Sequence, residues 1–131
     1  MSTSTVQKLS LALGAVYLLI GVLGFVPGIT VPSSAPGQGL LLDIFAVNTV
    51  HNLAHLVVGA ALIWAGTSAQ VALINKGLAV VFAVLVVGSV IAPVVEGVAI
   101  NPPDTALHLV SLLATAALGW GASRRPAMAA A

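Results

Sequence analysis

Three histidines and one aspartate stand out in a chain otherwise almost bare of ionisable groups. His51 and His55 lie four residues apart, as do Asp104 and His108, and each pair opens an apolar stretch. Positions i, i+3, i+4 and i+7 share one helix face. Asn48, His51, Asn52, His55 and Gly59 therefore form one polar stripe, and Asp104, His108, Ser111 and Thr115 form a second. Three imidazoles and one carboxylate on facing helices are a donor set for a four-coordinate zinc, iron or copper ion. Helix bundles build metal sites in this way, from side chains on facing helices. The same groups can instead be interhelical hydrogen-bond glue. On that reading Asn48 and Asn101 cap or brace the outer helix ends, Asp104 suits an N-cap position after Pro102-Pro103, and a neutral His55–His108 pair shares one donor and one acceptor.

Other chemistries fit less well. A haem b held by His55 and His108 wants cations beside its propionates, and the segments on that side have no Lys or Arg. A proton relay would have to continue past His55, where that run offers only Gly59 and apolar residues. The His51-x-x-x-His55 spacing falls short of the zinc-peptidase H-E-x-x-H pattern, because Asn52 stands where the general base belongs. No catalytic motif is found, so the chain is expected not to be an enzyme. Without cysteine there is no thiolate ligand and no disulfide.

The elements that carry these residues are apolar throughout. Of 131 residues, 60% are hydrophobic and 5% charged, and the mean hydropathy is +1.16. Soluble domains carry about 25% charged residues, so a soluble enzyme and a disordered tail are both excluded. A net charge of +1 gives no basic footprint for nucleic acid. Four apolar runs, approximately 9–26, 42–66, 77–95 and 104–122, are each long enough for a span, which takes about 20 residues. They are separated by turn-like segments: Pro27 to Gly39, Thr67 to Asn75, and Glu96 to Asp104. The whole chain, 1–131, reads as a single integral membrane domain.

Charge sets the expected topology. With four spans Lys8, Lys76, Arg124 and Arg125 fall on one side, and Asp43, Glu96 and Asp104 on the other. The positive-inside rule then puts both termini in the cytoplasm, and the expected location is the plasma membrane. Lys8 and the apolar run after it, with Ser33-Ser34-Ala35 downstream, also suit a signal peptide, but the run exceeds the usual apolar core of about 7 to 15 residues.

An internal repeat links the two stripes. Aligned without a gap, Asn48 meets Asn101, His51 meets Asp104, and His55 meets His108, with Leu-Val following in both copies. Two helical hairpins related in parallel, about an axis along the membrane normal, are the architecture this implies. The first run carries Gly14, Gly21 and Gly24 with Ser10 and Tyr17 on one face, small residues that let helices approach closely in lipid. The expected fold is all-α, a four-helix transmembrane bundle with both polar stripes turned inward.

The segments GVLGFVPG at Gly21 to Gly28, VNTVHNLAHLVVGA at Val47 to Ala60, and N-x-x-D-x-x-x-H-L at Asn101 to Leu109 resemble a family of small, mostly actinobacterial, four-span membrane proteins. That family carries domain of unknown function 4383. The resemblance runs from about Leu9 to Gly121 and implies a four-helix plasma-membrane protein with no assigned activity. The function expected from the sequence is a non-catalytic structural or accessory membrane module with a buried His/Asn/Asp cluster. Its partners would be the lipid bilayer and either further copies of itself or a larger membrane complex. No cofactor is expected on that reading; the alternative is a divalent metal held by His51, His55, Asp104 and His108.

Overall fold

Helices dominate because the apolar runs are long and a backbone buried in lipid must satisfy its own N–H and C=O groups. The computed structural model describes residues 1–91 and 98–122. Expectations placed on Pro93, Glu96, Arg124 and Arg125 lie outside the described residues. In chain order the elements are α1 (Thr3–Leu23), β1 (Thr30–Pro32), β2 (Gly39–Leu41), β3 (Phe45–Val47), α2 (Thr49–Thr67), α3 (Val71–Ile91) and α4 (Pro102–Trp120). The four helices form a bundle in which α1 packs most extensively on α2, and α3 on α4.

Burial in this bundle is inverted relative to a water-soluble protein. Ser10, His51, Asn52, His55, Asn75, Asp104, His108, Ser111 and Thr115 are buried, while Leu19, Val57, Leu73, Val84, Val87, Val110 and Leu113 are exposed. Water would reverse that arrangement; lipid rewards it. α1, α2 and α3 are long and apolar enough to cross a membrane. α4 has 19 residues, but its polar inner face lowers its hydropathy.

The two ends differ in chemistry. The amino group of Met1 donates to the Gly121 carbonyl at 2.6 Å, which brings the start of α1 to the end of α4. Lys76 lies at this end with its ammonium 5.5 Å from the centre of the Trp120 ring. Trp64 and Trp120 are both exposed here, as suits amphipathic rings at a membrane interface. The opposite end carries Asp43 and Asp104 and a small antiparallel sheet of order β1-β2-β3.

That sheet corrects the second run. Residues 42–47 do not begin a helix: Leu40 pairs with Ala46 and Leu41 with Phe45 across a tight turn. The turn holds Leu42 and Asp43 at φ 54° and 60°. Leu42 and Asp43 are the central pair of a Leu41–Ile44 turn closed by the Ile44 N–H on the Leu41 carbonyl at 3.1 Å, within a three-residue loop, and for Leu the positive φ carries strain of about 1–3 kcal/mol. α2 starts only at Thr49, where Asn48 caps it by accepting from the His51 N–H at 2.9 Å. A second correction falls on Asn75, which belongs not to a polar turn but to α3, fully buried. The turn itself is confined to Ser68–Gln70.

Close approach of α1 and α2 rests on glycine. A Cβ on Gly14 would lie 2.9 Å from the Gly59 carbonyl oxygen and 2.9 Å from the Ile63 nitrogen, and one on Gly59 2.8 Å from the Leu18 nitrogen. Both obstacles are backbone, so these helices touch main chain to main chain. Tyr17, Leu62, Leu78 and Phe82 fill the middle of the bundle, and Val6, Ala65, Val71 and Leu118 fill the end near Met1.

Candidate metal centre

The polar stripes of α2 and α4 meet beneath the sheet. His51 and His55 project from the first two turns of α2 and His108 from the second turn of α4, each at most 5% exposed. Ring centroids are 4.3 Å apart for His51 and His55, 5.7 Å for His51 and His108, and 6.4 Å for His55 and His108. One nitrogen from each ring can be chosen so that all three lie within 4.8 Å of one another. Around a tetrahedral ion with metal–nitrogen bonds of about 2.0–2.1 Å, such nitrogens sit roughly 3.4 Å apart.

The backbone around His51 fixes its tautomer. Its Nδ1 lies 3.0 Å from the Ala46 carbonyl oxygen in β3 and 2.6 Å from that of Ala99. Both partners accept only, so Nδ1 carries a proton, and in the neutral ring Nε2 is the nitrogen with the lone pair. A ligating histidine is usually held in this manner, with the distal N–H on a carbonyl. His51 Nε2 has no hydrogen-bond partner, nor has either nitrogen of His55, nor Nδ1 of His108. The direct His55–His108 hydrogen bond expected from the sequence is therefore not made. The rings meet edge to face, with His51 beside both.

Asp104 does not join the three nitrogens. The expected cap of α4 is corrected too: Asn101 is the N-cap and Asp104 the third helical residue, its carboxylate accepting from the Asn101 N–H at 3.1 Å while Asn101 Oδ1 accepts from the Asp104 N–H at 3.2 Å. This reciprocal capping box follows from Asn101-Pro-Pro-Asp. The carboxylate also accepts from the Ala46 N–H and interacts electrostatically with His51. Ala46 thus bonds Asp104 through its N–H and His51 through its C=O. Asn101 Nδ2 donates to the Ile44 carbonyl at 2.8 Å and ties the sheet down over the site.

The remaining stripe residues serve packing and support. Asn52 faces α1, where a Cβ on Gly24 would overlap its side-chain amide, and Gly21 faces Leu56 and the Asn52 carbonyl. Ser111 accepts from Tyr17 Oη at 2.6 Å and donates to the Leu107 carbonyl at 3.0 Å. Thr115 donates to the Ser111 carbonyl at 2.8 Å. Tyr17 presents its ring edge-on to His55 at 5.4 Å, and Phe82 lies 6.0 Å from His108. Sequence reasoning missed the two carbonyls on His51, the Phe82 wall, and a buried bond from Asn75 Nδ2 to Ser10 Oγ at 2.8 Å. Leu40-Leu41 and Phe45-Ala46-Val47 are uniformly apolar and too short to signal a sheet, and contacts between helices leave no local pattern.

Fold and site together define a helical protein of membrane type with an imidazole cluster in its core. A family model described as domain of unknown function (DUF4383) matches residues 7–121, and the chain belongs to that family. No curated protein and no solved structure matches it.

Proposed function

We propose that the chain is a membrane protein that holds one transition-metal ion between His51, His55 and His108. The four buried imidazole nitrogens without a partner carry this reading. Each unsatisfied buried polar atom costs about 1–3 kcal/mol. An interhelical hydrogen bond in a membrane returns only about 0.6–2 kcal/mol, so a cluster kept as glue would be expected to pair its rings. A metal ion satisfies the lone pairs of all three rings at once. It also accounts for the proton of His51 being held on a backbone carbonyl. The close His51–His55 and His51–His108 spacings leave no gap for a porphyrin, which favours an ion over haem b. Imidazole suits zinc, copper, iron and nickel.

The bundle is read as four spans with both termini cytoplasmic. Support comes from Lys8 and Lys76 at one end and Asp43 and Asp104 at the other, and from the inverted burial of α4. The matched Asn48 and Asn101 caps favour two hairpins related in parallel. We read the role as non-catalytic: storing, handing on or being stabilised by the ion.

Thermal unfolding of detergent-purified protein tests the reading. A ligand at 100 times its Kd adds about 2.7 kcal/mol of stability, so metal should raise the Tm of the wild type by several degrees. His55→Ala with His108→Ala should abolish that rise. A wild-type Tm unmoved by zinc, copper, iron or nickel contradicts the proposal and returns the cluster to a structural role.

A further inference from the structure

The metal reading leaves the ion unspecified, and the charges around the site narrow it. All three donors are neutral imidazoles. Among the described residues the carboxylate that acts on the cluster is Asp104, which is 1% exposed and interacts with His51 while its oxygens accept from Asn101 and Ala46. It stands one layer outside the ligands and brings a single negative charge. A monovalent ion on three imidazoles is neutralised by it. A divalent ion leaves one positive charge uncompensated in a medium where burying an ion costs several kcal/mol.

A zinc ion escapes that penalty by taking hydroxide in its fourth position, and the surroundings do not favour this. Tyr17 and Phe82 wall the cluster at 5.4 and 6.0 Å, and both are at most 2% exposed. The hydroxyl of Tyr17, whose ring abuts His55, is committed to Ser111 at 2.6 Å. A hydroxide here would lose the hydrogen bonds it has in water and find aromatic carbon. Copper(I), a closed-shell monocation, is satisfied by three nitrogen ligands and needs no fourth.

Resting on the metal-binding reading above, we infer that this site takes copper(I), with Asp104 as its buried counter-charge. Full-length protein in detergent, kept anaerobic, is titrated with copper(I) against a chromogenic copper(I) chelator, and with zinc(II) against a zinc chelator. The expected result is one copper(I) per chain and zinc binding at least tenfold weaker. Asp104→Asn keeps a side-chain acceptor for the cap and removes the charge. It should weaken copper(I) by about tenfold or more, the scale on which a nearby opposite charge shifts a buried charged state. Far-UV circular dichroism of that variant should match the wild type.

Zinc bound as tightly as copper(I), or a folded Asp104→Asn variant with unchanged copper(I) affinity, overturns the inference and leaves the metal site standing. Binding of neither ion overturns both. Should Asp104→Asn fail to fold, the wild-type copper-to-zinc comparison decides alone.

Discussion

Replacing single glycines with alanine reads the packing of the bundle with a sign as well as a size. At Gly14 the new methyl would sit 2.9 Å from the Gly59 oxygen and the Ile63 nitrogen. Ordinary contact begins near 3.4 Å, so α1 and α2 must separate by roughly half an ångström, and overpacking of this kind costs about 1–3 kcal/mol. Better helix propensity returns at most about 1 kcal/mol. The net effect expected of Gly14→Ala is a loss of up to about 2 kcal/mol, by the difference of those two terms. Gly59→Ala should behave alike, its methyl lying 2.8 Å from the Leu18 nitrogen. Both substitutions force the same helices apart, so the double variant should lose clearly less than the sum. Gly77 on α3 has nothing within 4 Å of its Cβ position, and Gly77→Ala should stabilise by about 0.5–1 kcal/mol. Reversible unfolding in mixed micelles, followed by circular dichroism, measures all four. A Gly14→Ala variant as stable as Gly77→Ala would refute the main-chain contact between α1 and α2.

Other substitutions probe the supports of the metal site. Tyr17→Phe removes the bond to Ser111 but leaves Ser111 bonded to Leu107, so it should cost about 1 kcal/mol in the same assay with metal stoichiometry unchanged. Asn101→Ala removes the cap of α4 and the tie to Ile44, and should cost about 1–2 kcal/mol. It should also speed amide hydrogen exchange in β2 and β3, which a cap acting on α4 alone would leave untouched.

What the sequence made legible was local. Asn48 and Asn101 read as residues that cap or brace helix ends, which they do, although the second run reads as starting near residue 42 and the cap of the last helix reads as Asp104. His55 and His108 could be assigned to inner faces because lipid accepts no imidazole. The arrangement between elements was hidden. That Asp104 would turn back on its own cap instead of joining the histidines depends on Ala46, contributed by a strand inside what reads as an apolar run. The Ala99 carbonyl on His51 and the Asn75–Ser10 bond join residues 48 and 65 positions apart, and no periodicity marks such pairs. Residues 42–47 read as the start of a helix because a short apolar stretch fits a strand or a helix equally until its turn is known.

Elemental analysis of the purified protein, never exposed to chelator, tests the central claim most directly. The account predicts about one transition-metal ion per wild-type chain and none in the His55→Ala, His108→Ala variant. A folded wild type that contains no such ion and takes up none when one is supplied would contradict it.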